Sequence, residues 1–363
     1  MKTQRKFSAL ALAIALIATL LSSCGGASQP PPAATATTPG AAPSETAPAS
    51  EGAASPTAEP FTIRTSSKLE CTATPFVIAD KLGFFAEENL TLEYTGELTT
   101  SGAAVAALLN GTNDVLDTHP NTLATFINEG AALKAVSLNI VDPPEDAPSE
   151  LRHMRLYASQ TNDQVNSLAD IASYKPEAKL KIVGTVPSCT TYILNNIFTN
   201  NGLDPSRIEW TTADSTSAAL QALELGDLDF VFIHPPFYYI AEQAGYKLIA
   251  DSFDSGLGPA AGTYLYVFSE DFIASNPDVV QRFINAIKKA QAYANENLKE
   301  AAELTAEHIQ QEVRATHYYY TGDGIPRSYV QPWLDDLVAN GAFDEGAVTV
   351  DDLITFQFEP ELP

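Results

Sequence analysis

From Phe61 onward, short apolar segments alternate with helical segments of about ten residues, and this alternation limits the possible folds most strongly. Phe61–Thr65 alternates apolar and polar residues as a strand does, whereas Ser101–Leu109 is an Ala-rich helical segment. The alternation stops at a proline-rich loop, residues 142–148, and restarts at Met154. Three longer helical segments follow at 276–295, 298–311 and 327–340. The sequence therefore predicts an α/β protein with two lobes, each a mainly parallel sheet flanked by helices, and a helical C-terminal tail.

The first residues of the chain predict export from the cytoplasm. Three basic residues, Lys2, Arg5 and Lys6, precede the apolar run Ala9–Leu21, which is shorter than the roughly 20 residues that span a bilayer. Leu21-Ser22-Ser23-Cys24 resembles the lipobox of bacterial lipoproteins. The resemblance implies a signal peptide over residues 1–23, cleavage before Cys24 and a lipid on its sulfur. The alternative is an ordinary secreted protein in which Cys24 occurs by chance.

Residues 24–60 are predicted to be a tether. The stretch from Ala27 to Pro60 contains eight prolines and no Val, Ile, Leu or aromatic residue. It cannot bury enough apolar surface to offset the entropy lost on ordering, so it is expected to stay extended. With a lipid on Cys24, this segment would hold the folded body near the outer face of a bacterial membrane.

Charge and missing motifs exclude several classes of function. Removal of residues 1–23 takes away three positive charges, which leaves 17 basic and 45 acidic residues, a net charge of −28. Such acidity argues against nucleic acid as a partner. The sequence also lacks a phosphate-binding loop, a GxSxG elbow, an HExxH motif and zinc-finger cysteine spacing.

Several segments resemble motifs of solute-binding proteins in the nitrate, sulfonate, taurine and hydroxymethylpyrimidine-precursor family. Residues 83–93, GFFAEENLTLE, resemble its GFFxxxGLxVE segment. Residues 107–114 and 222–229 both resemble its ALxxGxxD phrase, which occurs once in each lobe. Residues 269–280 resemble the helix start with Asn-Pro near the end of the family's pattern. The phrases follow the family's order over about residues 75–296.

This resemblance implies a type II periplasmic-binding-protein fold with the ligand held between two lobes. Because the chain of such a fold crosses twice, lobe I is expected at 61–150 plus 265–363, and lobe II at 151–264. The resemblance further implies an extracytoplasmic, monomeric receptor of an ABC importer, which delivers a small solute to a permease driven by a separate ATPase subunit. Neither catalysis nor a cofactor is expected on this interpretation.

The cleft residues are predicted from the sheet order. Ligands of open α/β sheets bind beyond the carboxyl ends of the strands, where loops and helix N-termini meet. The candidate ligand-binding residues on these loops are Cys71, Thr72, Ser101, His119, Cys189, Thr190, His234, Phe237 and Tyr264. The remaining histidines, His153, His308 and His317, are expected outside the cleft.

Cys71, His119, Cys189 and His234 come from four separate cleft loops, two from each lobe, and three interpretations remain open. They line the cleft and contact an organic ligand, or the two cysteines form a disulfide. In the third interpretation, the thiolates and imidazoles bind a soft or borderline metal ion, or a metal complex, as the lobes close. A permanent bridge between the lobes would oppose reversible closure.

The same loops constrain an organic ligand. Lys68 is their only basic residue, so a sulfonate or nitrate would lack an arginine clamp. Phe237 and Tyr264 are candidates for stacking on a flat heterocycle, which favours a neutral or aromatic solute such as a pyrimidine precursor, with a sulfonate still open. A pyrimidine-precursor synthase on the same fold is a further alternative. It would need a Schiff-base lysine, for which Lys68 is the candidate, and a cytoplasmic location.

Overall fold

The computed structural model describes residues 58–98 and 100–363. The predicted signal peptide, Cys24 and all but the last three residues of the predicted tether lie outside the described residues. Within the described part of the chain, no helix is long and apolar enough to cross a membrane.

Strands and helices alternate up to residue 138, as predicted. The strands are β1 Phe61–Ser67, β2 Leu90–Glu97, β3 Leu116–Thr118 and β4 Leu133–Leu138. The helices are α1 Thr74–Lys81, α2 Phe84–Glu87, α3 Ser101–Leu109 and α4 Pro120–Asn128. Gly83 separates α1 from α2 with φ of 83°, a left-handed conformation that glycine adopts without steric cost.

The alternation restarts after residue 154. The strands are β5 Arg155–Ala158, β6 Leu180–Val183, β7 Ile208–Thr211, β8 Val231–Ile233 and β9 Lys247–Asp251. The helices between them are α5 Cys189–Asn200, α6 Thr216–Leu225 and α7 Tyr238–Gln243. The remaining elements are β10 Leu265–Ser269, α8 Glu270–Ser275, α9 Pro277–Glu296, α10 Leu298–Ile309, β11 Ile325–Pro326, α11 Arg327–Ala339, α12 Val350–Leu353 and β12 Glu361–Leu362.

The two-lobe α/β fold is confirmed, but its sheets are mixed and not uniformly parallel. β1 pairs with β2, and β6 with β7, in parallel. By contrast, β10 lies antiparallel between β3 and β4, and β5 lies antiparallel between β8 and β9. Each antiparallel strand directly follows a crossover between the lobes. Such a strand starts at the edge of the sheet where its neighbours end, so it is antiparallel to them.

Separate apolar clusters stabilise the two lobes. In lobe I, Phe76 of α1 and Phe283 of α9 pack on Tyr266 of β10. In lobe II, helix α5 packs on the sheet through Ile193 and Ile197, which are fully buried. The spacing of buried residues along α9 and α5 is that of an amphipathic helix with one buried face.

The two crossover segments pack against each other at the level of their backbones. The amide of Asp142, after β4, donates to the carbonyl of Pro259 at 3.1 Å, and the amide of Tyr264 donates to the carbonyl of Ile140 at 3.0 Å. Gly262 lies so close that a Cβ at this position would be 2.4 Å from the backbone nitrogen of Asp142. The lobes are therefore joined by two crossover segments that pack tightly against each other.

We expect Gly262→Ala to lower the free energy of unfolding by about 1–3 kcal/mol, since the added methyl group meets backbone that can move only with the crossover. Urea denaturation followed by circular dichroism measures the change. Gly102→Ala is the matched control, because a Cβ there meets no atom within 4 Å and the residue lies in α3. It should be neutral or stabilising by up to about 1 kcal/mol. Equal stabilities of the two variants would contradict the prediction.

Candidate functional site: the interlobe cleft and a histidine cluster

A cavity of about 570 Å³ opens between the lobes. One wall carries Lys68 and Glu70, which follow β1, together with Asp117 of β3 and Tyr264. The opposite wall carries Asp214, which follows β7, and Phe237 at the start of α7. The cavity therefore lies beyond the carboxyl ends of strands from both lobes, where ligands of such sheets bind. We call this cavity the cleft.

The cleft is acidic. Its described lining residues include four carboxylates, Glu70, Glu97, Asp117 and Asp214, but Lys68 is the one Lys or Arg among them. The Lys68 ammonium forms an ion pair with the Asp117 carboxylate and donates to its backbone carbonyl at 3.2 Å. Burial raises the pKa of Asp117, and Lys68 opposes that rise. The cation is thus already paired, and no guanidinium lines the cleft to grip an anion.

Two aromatic rings lie in the cleft lining, one from each lobe. Tyr264 is half-buried, and the Lys68 ammonium lies 5.6 Å from its ring centroid. Phe237 is also half-buried, and its ring lines both the cleft and a neighbouring cavity of about 350 Å³. Rings on opposing walls can contact both faces of a flat solute.

The neighbouring cavity reaches the start of α5. Ser188 caps this helix by accepting a hydrogen bond from the amide of Thr191 at 3.2 Å. Thr190 lines the cavity, as does His234 after β8. The Sγ atom of Cys189 lies 3.7 Å from Nε2 of His234.

Four histidines from distant parts of the chain meet beneath the cleft. We call His119, His153, His234 and His317 the histidine cluster. The ring centroid of His153 lies 5.2 Å from that of His119, 4.6 Å from that of His234 and 5.0 Å from that of His317. His119 follows β3, His153 precedes β5 and His234 follows β8, so the cluster spans both lobes and the first crossover.

Backbone carbonyls orient two of these rings. Nδ1 of His119 lies 2.8 Å from the carbonyl oxygen of Thr263, and Nδ1 of His234 lies 3.1 Å from that of His153. Since a carbonyl can only accept, each Nδ1 carries the proton and each Nε2 of the neutral ring has a free lone pair. One face of His119 stacks on the buried ring of Trp333, with centroids 4.9 Å apart.

Burial keeps the cluster uncharged. It lowers the pKa of His119 to about 3 and that of His234 to about 4, with the neighbouring His234 adding to the effect at His119. The pKa values of His153 and His317 also lie well below the ordinary value, chiefly because of burial. Both nitrogens of His153 and Nδ1 of His317 have no hydrogen-bond partner among the described residues.

The structure corrects the predicted set of metal ligands at Cys71. This residue is fully buried in an apolar cluster with Ala302, Ile309 and Val313, so burial raises the pKa of its thiol. Its Sγ lies 3.8 Å from the carbonyl oxygen of Ala315. Cys71 and Cys189 are both free thiols, so the disulfide is not formed. The loop after β1 turns into a short helical segment that buries the Cys71 side chain, a detail that residue spacing does not reveal.

Several other candidates have clear positions. Ser101 lines the cleft, although Thr100 and not Ser101 caps α3. Thr72 is buried, and its hydroxyl has no partner among the described residues. The ligand roles of the predicted residues stay predictions.

Sequence reasoning missed His153 and His317. The sequence places both of them outside the cleft. One signal was available: a residue immediately before the first strand after a crossover must lie at the junction of the lobes. No local signal points to His317, which comes from the loop between α10 and β11.

Comparisons with known proteins agree with this architecture. The model of the family described as NMT1/THI5 like matches residues 71–301. The comparison with curated protein sequences gives no match.

Solved structures with the same fold are similar over most of the described chain. The aliphatic sulphonate binding protein SsuA of Escherichia coli has a TM-score of 0.65 at 16% identity, covering 83% of this chain and 99% of its own. The nitrate-binding protein NrtA of Synechocystis PCC 6803 has a TM-score of 0.62 at 13% identity, covering 83% and 87%. A zinc-bound ligand-binding component of an ABC-type import system from Staphylococcus aureus has a TM-score of 0.63 at 16% identity, covering 81% and 96%. At such identities the likeness establishes the fold alone.

Proposed function

Because the chain belongs to the NMT1/THI5-like family, we propose that it is the solute-binding component of an ABC importer. The observation that carries the proposal is the open cavity of about 570 Å³ bounded by both lobes. Solved proteins of this fold include components that bind sulfonates and nitrate. Binding would draw the lobes together about the crossovers, and a permease would recognise the closed form.

The solute we propose is small, flat, and neutral or cationic. Four acidic residues line the cleft, and its one lysine is already paired with one of them, Asp117. An anion such as a sulfonate would meet this negative charge without a guanidinium to offset it. A heterocycle could stack between Phe237 and Tyr264 while the hydroxyl groups of the lining, such as that of Ser101, bind its polar edge.

We propose binding without catalysis. The synthase alternative needs Lys68 as an uncharged amine that can attack an aldehyde. In the structure the Lys68 ammonium is instead held by the Asp117 carboxylate and backbone carbonyl, which disfavours that role. The predicted export signal argues in the same direction.

The cellular setting belongs to the same proposal. A signal peptide over residues 1–23, a lipid on Cys24 and the tether to residue 60 would hold a monomeric receptor at the outer face of the membrane. A permease and its ATPase subunit would be its partners. Mass spectrometry of the mature N-terminus tests the lipid, which Cys24→Ser should abolish.

We expect Phe237→Ala and Tyr264→Ala each to weaken solute binding about tenfold, since losing one stacking ring costs on the order of 1.4 kcal/mol. The solute is first identified by mass spectrometry of the small molecules that co-purify with the protein. Its affinity for each variant is then measured by calorimetry.

Phe343→Ala is the control, because this half-buried ring packs on the lobe I core away from the cleft lining. It should leave affinity unchanged. If the co-purified solute is a sulfonate or another anion, the proposed ligand class is wrong. If it binds all four proteins equally, the proposed site is wrong.

A further inference from the structure

Three imidazoles of the histidine cluster converge as metal ligands do. One ring nitrogen from each of His119, His153 and His234 lies within 4.8 Å of the other two. In a tetrahedral zinc site with Zn–N bonds of about 2.0–2.1 Å, ligand nitrogens are roughly 3.4 Å apart. An inward shift of about 1 Å therefore suffices to place all three around one ion. Such a shift brings together residues of lobe I, lobe II and the first crossover.

The cluster also leaves buried nitrogens without partners. His153 is 1% exposed, and neither of its ring nitrogens has a hydrogen-bond partner among the described residues. A buried polar group left unpaired is unfavourable, so native proteins rarely tolerate one without a function or a ligand. A cation at this position would accept the free lone pair of His153.

Backbone carbonyls fix the tautomer of the other two rings. The carbonyls of Thr263 and His153 take the Nδ1 protons of His119 and His234, respectively. Histidines that ligate metals usually donate their other nitrogen to a carbonyl or carboxylate, which fixes the tautomer and the ring plane. Each ring therefore presents the lone pair of Nε2.

We propose that His119, His153 and His234 bind one divalent transition-metal ion of the zinc, nickel or copper class beneath the cleft. Imidazole nitrogen suits these ions, whereas magnesium and calcium prefer oxygen ligands. Neutral rings are also the form that ligates metal, and burial keeps these rings neutral. The site lies below the cleft that holds the proposed solute, and it does not depend on that proposal.

Cys189 is adjacent to His234 and is the candidate for a fourth ligand. Its sulfur lies 3.7 Å from Nε2 of His234. A zinc ion with a Zn–S bond of about 2.3 Å and a Zn–N bond of about 2.0 Å separates sulfur and nitrogen by roughly 3.6 Å in tetrahedral geometry. Binding would release the thiol proton as the sulfur becomes a thiolate.

The test uses the purified full chain, stripped with a chelator and titrated with zinc alone. We expect about one zinc ion per chain by elemental analysis and calorimetry, and no binding of magnesium. His153→Ala and His234→Ala should each weaken zinc binding at least about 100-fold, because even the loss of an outer partner of a ligand costs 10–100-fold. His234 is half-buried, so its variant keeps the test decisive if His153→Ala does not fold.

His308→Ala is the matched control, because this histidine lies beside Tyr94 and outside the cluster. It should bind zinc like the parent protein. Cobalt in place of zinc adds a spectroscopic readout: tetrahedral absorption bands should appear, and a thiolate charge-transfer band should be lost in Cys189→Ser. The proposal would be overturned if the stripped parent protein bound no zinc on titration. Equal zinc affinities for His153→Ala, His234→Ala and His308→Ala would overturn it as well.

Discussion

Mild acid should destabilise the metal-free protein. His119 and His234 have pKa values of about 3 and about 4, and those of His153 and His317 lie well below the ordinary value. In the unfolded chain each would titrate near 6.5. Between pH 6.5 and 4 the unfolded state therefore binds protons that the folded state excludes. The part of the free energy of unfolding that depends on these rings being neutral is fully present above pH 6.5 and is lost as the pH falls towards their folded-state pKa values.

Buried carboxyl groups act in the opposite direction. Burial raises the pKa of Asp142 and of Asp336 to about 6, so each stays protonated in the folded state where the unfolded chain has released its proton. Burial also raises the pKa of Asp117 and of Asp251, which act likewise. Four histidines against at least two carboxyls leave a net of at most about two protons near pH 5. Stability should then fall by at most about 3 kcal/mol per pH unit.

Urea denaturation in the presence of EDTA at pH 7, 6 and 5 measures this slope. His317→Gln should flatten it by about one proton, or roughly 1.4 kcal/mol per pH unit, because it removes a fully buried titrating ring. His308→Gln should flatten it less, since His308 is only partly buried. A slope that is the same in the parent protein and in His317→Gln would show that the cluster takes up protons while folded.

Loss of the Asp142 carboxylate is expected to destabilise the protein by about 3 kcal/mol. Asp142 accepts hydrogen bonds from the amide of His153 at 2.9 Å and from the Ser252 hydroxyl, and its Oδ2 lies 3.3 Å from Nη1 of Arg152. Arg152 is 4% exposed. Asp142→Ala leaves the Arg152 guanidinium buried without its nearest counter-ion. Such a loss costs about 3–5 kcal/mol. The lower end applies because Asp251 lies 3.9 Å away and the Pro143 carbonyl accepts at 2.6 Å.

Thermal and urea denaturation at pH 7.5 measure this effect. Asp278→Ala is the control, because Asp278 pairs with Arg282 one helical turn away at an exposed site. Its removal should cost only about 0.3–0.5 kcal/mol. The double variant Asp142→Ala with Arg152→Met should recover part of the loss, since it removes the unpaired charge as well. Equal losses in Asp142→Ala and Asp278→Ala would show that the buried pair contributes no more than a surface one.

The alternation of strands and helices was enough to predict two α/β lobes, because hydrophobic periodicity is a local property of the chain. The helices at the end of the chain agree with the predicted segments to within one or two residues. The direction of β5 and β10 could not be predicted in this way. It depends on which end of the sheet the chain enters after a crossover.

The cleft was predictable in outline, because the ends of parallel strands meet at one edge of a sheet. Lys68, Asp117, Phe237 and Tyr264 do line it. Cys71 was placed there for the same reason, but its side chain turns into the apolar cluster beneath α10. The direction of a side chain in a loop depends on local turns, and spacing along the sequence does not determine those.

The alternating segments from Phe61 onward thus determined the fold class and the position of the cleft by themselves. The histidine cluster depended on the tertiary structure. His119 and His317 are separated by almost 200 residues in the chain, yet both lie beside His153. Two crossovers and the packing of the C-terminal segment bring them together, and the burial that removes their charge exists only in the folded state. Local sequence patterns determine which helices and strands form, whereas long-range packing determines which side chains meet in one buried site.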